Sequence, residues 1–326
     1  MSQLRLNPLT GRWVTIVSSR ADRPSDFAVR PAQIESDPSR PCPFCEGGAE
    51  AVPAITELSD SERPECIVPN RYPAFEGDES LAVRNFGPVH VQAEASGVHE
   101  LLVYSQDHDA NLATLSDDEI ASMMHVLRKR FTEHAAQPHI RYTQAIVNHG
   151  REAGASLAHP HGQLLGMPFV PGEILDEERA FARFAGGCIL CATIEAELVD
   201  ESRVVLANDD CVVICPFWSG SPYEMLVIPR SHEVHLQDSG SEELSAVGRA
   251  LRDAVGALEA LHEYAPFNLI VHTAPHHHNG PFHWHLHLVP KLTTQAGFEM
   301  GTGVLVNIVP PEAAAADLRA ALGVNA

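Results

Sequence analysis

The stretch SLAHPHGQ, Ser156 to Gln163, sets His159 and His161 either side of a proline and places an amide two positions further on. Imidazole can supply a metal ligand, a proton acceptor or a nitrogen nucleophile near neutral pH. In an extended chain His159, His161 and Gln163 share one face, because strand side chains alternate. The plain alternative is three partly exposed polar residues on an edge strand. Just upstream, NHGREAGAS runs from Asn148 through Gly154 to Ser156 as a loop of small residues. Such a loop either turns the chain or brings backbone N–H groups close to phosphate oxygens. Beside a free imidazole it points to attack on phosphorus, with loop donors stabilising the phosphoryl charge.

Four of the seven cysteines form two pairs, Cys42 with Cys45 in CPFC and Cys188 with Cys191 in CILC. Two thiolates so spaced reach one metal ion, and tetrahedral zinc then needs two further ligands. The spacing nominates them: His108 to His159 is 51 positions (159 − 108), and His232 to His283 is again 51 (283 − 232). The expected sites are Cys42, Cys45, His108 and His159, and Cys188, Cys191, His232 and His283. Four protein ligands close each shell, so both zincs are expected to be structural. A thioredoxin-like dithiol competes, but it wants a strand before and a helix after, which DPSRPCPFCEGGAE does not offer. A pair of buried free thiols leaves the histidine spacing unexplained. His161 is then left free, two residues from a fixed ligand. In HWHLH, His285 holds the place of His161, but no Gly-Ala-Ser loop precedes it, so His161 is expected to be the one nucleophile. Cys66, Cys211 and Cys215 read as small buried residues, and His276 to His278 in PHHHNG as a solvated loop.

The elements that position these residues repeat. Each half has a CxxC pair, a strand ending in histidine, a helix, a strand and a histidine-rich strand, which implies a duplicated fold unit. SDDEIASMMHVLRKRF has an N-cap serine, an acidic first turn and apolar residues at helical spacing; SEELSAVGRALRDAVGALEAL behaves alike. The flanking β-branched and aromatic runs read as strands. Strands joined by short turns with one helix per unit predict an α+β fold with a mainly antiparallel sheet and flanking helices. The boundary is expected near residue 177, giving units 1–176 and 177–326, and PEAAAADLRAALG reads as a terminal helix. The Pro-, Ser- and Asp-rich stretch from about 18 to 66 is expected to need a metal at Cys42 and Cys45 to order it.

At 326 residues with a formal net charge of −21, the chain has room for two units and a sizeable core. That charge repels nucleic acid and acidic membrane surfaces, leaving a phosphorylated small molecule held by local basic groups. No apolar run is long enough to span a bilayer and the N-terminus lacks a signal-peptide core, so a cytoplasmic protein is expected.

NHGREAGASLAHPHGQ resembles the active-site motif of the galactose-1-phosphate uridylyltransferases, the transferase branch of the histidine-triad superfamily. The resemblance extends to LRLNPLTGRWVTIVSSRADRP, CPFC, VPNRYPAF, YSQDH, YEMLVIPRSH and AGFEMGTG. With two CxxC pairs the chain is most similar to the two-zinc, ADP-glucose phosphorylase-like branch. The resemblance implies two tandem histidine-triad-like domains and a homodimer. It implies that His161 attacks the α-phosphorus of a nucleotide sugar, releasing hexose-1-phosphate and leaving a nucleotidyl-histidine, while Gln163 holds the phosphoryl oxygens. Asn70, Arg71 and Tyr72 would lie near the nucleotide, and Asn148, Gly154 and Ser156 near the phosphates. Arg20 and Arg23 would neutralise phosphate charge, and Glu299 would bind the hexose. The implied reaction moves the nucleotide from UDP-glucose to a hexose-1-phosphate, as in galactose metabolism. An ADP-glucose phosphorylase using inorganic phosphate shares its first step, and a non-catalytic zinc-bearing nucleotide binder is the alternative of another class. Position 305 is leucine, where the family has a glutamine six positions after its glutamate, so galactose specificity does not follow.

Overall fold

The structure, a computed structural model, describes residues 2–18, 41–52 and 66–323. Arg20 and Arg23, with most of the 18–66 stretch, lie outside the described residues. The chain opens with strands β1 (Gln3–Leu6) and β2 (Trp13–Ile16), followed by β3 (Ile67–Pro69), β4 (Arg84–Phe86), β5 (His90–Gln92) and β6 (Val98–Val103). Helix α1 (Asp117–Ala135) leads to β7 (Tyr142–His149) and β8 (His161–Met167), then α2 (Gly172–Arg183) and α3 (Ile189–Asp200). Next come β9 (Val204–Ala207), β10 (Cys211–Ile214), β11 (Met225–Pro229), α4 (Ser241–Leu261), β12 (Phe267–His272) and β13 (His285–Pro290). The chain closes with α5 (Gly297–Thr302), β14 (Leu305–Asn307) and α6 (Pro311–Leu322).

Local chemistry explains the start of α1. The Ser116 hydroxyl accepts the Glu119 N–H at 3.2 Å and the Glu119 carboxylate accepts the Ser116 N–H at 2.9 Å, a reciprocal cap on two otherwise orphaned donors. Three acidic residues in the first turn of α1 complement its dipole. The helix then turns Ile120, Met123, Met124, Leu127 and Phe131 inward, each contributing roughly 1.5–3 kcal/mol on full burial.

Nine strands form one sheet in the order β3-β6-β8-β7-β12-β13-β11-β10-β9, and each neighbouring pair is antiparallel. The internal repeat is visible in that order. Reading outward from the β7–β12 seam, β7, β8 and β6 on one side match β12, β13 and β11 on the other. At the seam Asn148 pairs with Asn268. Residues of α1, α4 and α6 share one apolar core with the sheet, while α2 and α3 pack with Tyr142, Met167, Ile214 and Leu226 in a second core on the other face. The fold is α+β with a mainly antiparallel sheet, as expected from the sequence. Among the described residues no helix is long and apolar enough to cross a membrane.

Three particulars differ from the expectation or refine it. The strand carrying the catalytic motif begins at His161 rather than at His159, so alternation relates His161 to Gln163, and His159 is placed by the bend before them. The 176/177 division falls inside α2. PHHHNG is not a solvated loop: His276 is 2 % exposed, its Nε2 lies 2.8 Å from the Thr143 hydroxyl, and the same hydroxyl meets His134 Nδ1 at 3.0 Å. Only His277 of the three is exposed. Cys66, Cys211 and Cys215 are fully buried, as read from the sequence.

Candidate active site

The structure brings Cys42, Cys45, His108 and His159 together, and likewise Cys188, Cys191, His232 and His283, with the ligand atoms of each group within 4.8 Å of one another. Zn–S bonds of about 2.3 Å and Zn–N bonds of about 2.0–2.1 Å at a tetrahedral angle set S and N about 3.6 Å apart. Cys45 Sγ lies 3.3 Å from His108 Nδ1 and 3.6 Å from His159 Nδ1. In the second group Cys191 Sγ is 3.4 Å from His232 Nδ1 and 3.5 Å from His283 Nδ1, and Cys188 Sγ is 3.5 Å from His283 Nδ1. These S···N separations fit a tetrahedral ion in both clusters. His159 Nε2–H donates to the Ser105 carbonyl and His283 Nε2–H to that of Pro229, both at 2.9 Å, which turns each Nδ1 lone pair toward its cluster. Burial and the neighbouring Cys188 push the Cys191 thiol up to about 12; a divalent cation reverses that cost by stabilising the thiolates.

His161 emerges from the first cluster with its tautomer set. Its Nδ1–H donates to the His159 carbonyl at 2.9 Å, so the Nε2 lone pair is free. Burial holds the imidazole below its ordinary value, keeping it neutral and nucleophilic at pH 7. The Phe44 ring of the CPFC turn lies 5.6 Å from His159 and 5.9 Å from His161. The first cluster and the free imidazole are thus walled by the same turn.

Gln163 lies on the same face of β8 as His161. Its Oε1 meets His99 Nε2 at 3.0 Å. His99 Nδ1 accepts the Ala74 N–H at 3.0 Å, and Asn70 Oδ1 accepts the Tyr72 N–H at 2.9 Å. Arg71 and Tyr72 are exposed on this loop, the guanidinium 5.9 Å from the ring centroid. The small-residue loop is shaped by glycine: Gly150 and Gly154 have φ of 82° and 89°, and a Cβ at Gly150 would lie 2.8 Å from Pro266 Cβ. Asn268 clamps it from the second half, donating to Asn148 Oδ1 and to the Ala153 carbonyl, both at 2.8 Å. Ser156 is exposed at its end. Glu299 is not joined to this network. It caps its own helix, its carboxylate accepting the Ala296 N–H at 2.9 Å.

A third cluster, Glu177, His272, His285 and His287, was not foreseen. Glu177 Oε1 lies 2.8 Å from His272 Nδ1 and 3.9 Å from the Nε2 atoms of His285 and His287, which are 2.9 Å from each other. Burial alone would raise the Glu177 carboxyl, but the facing His272 and His285 hold it below its ordinary value. Its other oxygen is buried without a hydrogen-bond partner, and three imidazoles with a carboxylate suit a divalent transition metal. The cluster is the second half's counterpart of the His161 site. Asn148 to His161 and His272 to His285 are both 13 positions, and Asn148 to Gln163 and His272 to His287 both 15. His285 Nδ1–H even donates to the His283 carbonyl at 2.9 Å, as His161 does to His159. However, its Nε2 is enclosed by Glu177 and His287, so His285 is not a free nucleophile.

Residues 1–171 match the family described as galactose-1-phosphate uridyl transferase, N-terminal domain, and residues 94–323 match a domain family of unknown function. An ADP-glucose phosphorylase from Arabidopsis thaliana is 30 % identical, covering 97 % of this chain and 92 % of that protein. A galactose-1-phosphate uridylyltransferase from Thermotoga maritima is also 30 % identical, covering 98 % of each. The chain belongs to the galactose-1-phosphate uridyl transferase family. Like those relatives it is an enzyme of the transferase class, a nucleotidyltransferase. Among solved structures, that of an Arabidopsis thaliana ADP-glucose phosphorylase with bound ADP-glucose superposes with a TM-score of 0.79 at 26 % identity, covering 98 % of this chain and 99 % of that one. In this member of the family one nine-stranded sheet carries His161 and Gln163 on β8 and His285 and His287 on β13, while the CxxC cysteines lie outside it, in the CPFC turn and at the start of α3.

Proposed function

We propose that the enzyme transfers a nucleoside monophosphate from a nucleotide sugar through a covalent nucleotidyl-His161. The observation that carries this is the His161 tautomer: Nδ1–H is committed to the His159 carbonyl, which leaves Nε2 as the nucleophile. The Nε2 lone pair attacks the α-phosphorus, an N–P bond forms, and the bond from that phosphorus to the bridging oxygen breaks, so hexose-1-phosphate departs. Positive charge developing on the ring is shared by the carbonyl that holds Nδ1–H. By this reading the free Gln163 amide N–H, Asn148 and Ser156 serve the phosphoryl oxygens beside Gly154, while the N–H groups of Ala153, Gly154 and Ala155 are already donated to the Gly150 and Arg151 carbonyls and only shape the loop. An acceptor phosphate oxygen then attacks, the N–P bond breaks, and the pair returns to Nε2. Zinc in the two Cys2His2 clusters would fix the turns that carry His161 and its second-half counterpart, without touching substrate. Tandem units 1–176 and 177–326, and a cytoplasmic homodimer with Arg20, Arg23 and Glu299 reaching the phosphates and the hexose, complete the reading by family resemblance.

Two donor and acceptor pairs fit this chemistry: UDP-glucose with a hexose-1-phosphate, and ADP-glucose with inorganic phosphate. Leu305 bears on the hexose, which the two donors share, and not on the base. It packs against Gly220, where a Cβ would lie 2.3 Å from its Cδ1, so β14 offers an apolar side chain where a hexose-binding amide would be needed. Initial rates with each donor against galactose-1-phosphate and phosphate decide between them. A preference of at least tenfold in kcat/KM for ADP-glucose with phosphate, about 1.4 kcal/mol of transition-state discrimination, assigns the phosphorylase reaction. The reverse preference assigns the uridylyltransferase reaction.

A further inference from the structure

His99 touches two parts of the site at once. It sits on β6 facing β8, and nothing in its own stretch of sequence marks it. Its ring nitrogens have different jobs. Nδ1 accepts the Ala74 N–H at 3.0 Å, and a backbone N–H can only donate, so in the neutral ring the proton is on Nε2. Nε2–H therefore donates to Gln163 Oε1 at 3.0 Å. Asn70 Nδ2 also lies 3.1 Å from Nε2, but Asn70 Oδ1 is held by the Tyr72 N–H. That approach is between two donors and forms no bond. The Asn70 N–H in turn donates to the His99 carbonyl at 2.9 Å.

The consequence concerns the Gln163 amide. An amide side chain can present either its oxygen or its NH2 to a neighbour, and the two are opposite in sign for a phosphoryl group. With Oε1 taken by His99, Gln163 turns its NH2 outward on the face of β8 that carries His161. The Ala74 N–H fixes the His99 tautomer, and the tautomer fixes the amide. The order of the loop from Asn70 to Ala74 thus determines whether the site offers a donor or an acceptor beside the nucleophile.

We infer that His99 is a positioning residue that couples the Asn70–Ala74 loop to Gln163, so that seating a nucleotide on that loop and orienting the phosphoryl-binding amide are one event. This rests on the covalent transfer proposed above. Two substitutions separate its hydrogen bonds. Asn reaches the Nδ1 position and keeps the acceptor for Ala74 while losing the donor to Gln163. Gln reaches the Nε2 position and keeps the donor while losing the acceptor.

The test is the rate of nucleotidyl-enzyme formation against donor concentration, using UDP-glucose and ADP-glucose as probes, with hydrogen exchange at the Ala74 amide followed alongside. His99→Asn should lower the limiting rate about 100-fold, as loss of a charge-stabilising donor does, with half-saturation and Ala74 protection little changed. His99→Gln should raise half-saturation about tenfold and speed Ala74 exchange, with the limiting rate nearly kept. If wild type labels and the two variants lose both parameters in parallel, or neither, His99 is a structural residue and the inference falls alone. If wild type never labels with either donor, the covalent reading falls and takes this inference with it.

Discussion

Replacing His161 by Ala abolishes nucleotidyl-enzyme formation and lowers turnover by roughly four orders of magnitude or more, because no other group supplies the nucleophilic lone pair. Nucleotide affinity survives, since Gln163, Asn148 and the loop from Asn70 to Tyr72 remain. His285→Ala is the control. Its imidazole is oriented like His161 but its Nε2 is enclosed by Glu177 and His287, so labelling persists in that variant. The pH profile follows from the environment of His161. Burial lowers its ordinary value, so as pH falls the ring stays neutral and nucleophilic to a lower pH than a free imidazole, which protonates near 6.5. The acid limb of single-turnover labelling therefore lies below that value. A limb above it contradicts the assignment.

Cys45→Ser is expected to remove one metal ion per chain and to destabilise the protein by several kcal/mol, lowering Tm on the order of 10 °C. Cys45 Sγ faces both histidines of its cluster, so its loss also frees His159. His161 is held through the His159 carbonyl, and labelling should collapse with the metal. Cys191→Ser removes the other ion with a comparable loss of stability. Its cluster stands behind His285, so the labelling rate of the folded fraction falls far less. Elemental analysis, thermal denaturation and single-turnover labelling of both variants check the contrast. Full metal content in Cys45→Ser, or equal catalytic loss in the two variants, would contradict the division of labour between the clusters.

Much of this site was legible because its residues repeat. Two cysteine pairs and two equal histidine intervals name eight candidate ligands without any three-dimensional information, and the structure gathers all eight into two groups that could hold a metal ion. The N-cap Ser116 and the acidic residues after it announced α1, since a helix cap is a local device. What depends on tertiary packing was hidden. His276 sits between Pro and a polar run, and only the approach of Thr143 from a strand 133 residues away buries it. Glu177 read as one more charge on an amphipathic helix, and only the packing of α2 against β12 and β13 brings it to His272. The repeat did hold a clue to that cluster, for His272 occupies the position of Asn148. His99 carried no signal, as a lone histidine on a strand has no spacing to betray it. The nine-stranded continuity of the sheet was equally silent, because the β7–β12 pairing joins segments more than a hundred residues apart.

The most direct test of the account is intact-mass spectrometry of the wild-type enzyme mixed with ADP-glucose or UDP-glucose in the absence of acceptor, followed by peptide mapping. The account predicts a gain of one nucleoside monophosphate per chain, labile to acid as a phosphorus–nitrogen bond is, mapped to His161 and discharged by phosphate or a hexose-1-phosphate. An adduct on any other residue, or turnover of either donor with no adduct even when the reaction is quenched within its first cycle, would contradict it.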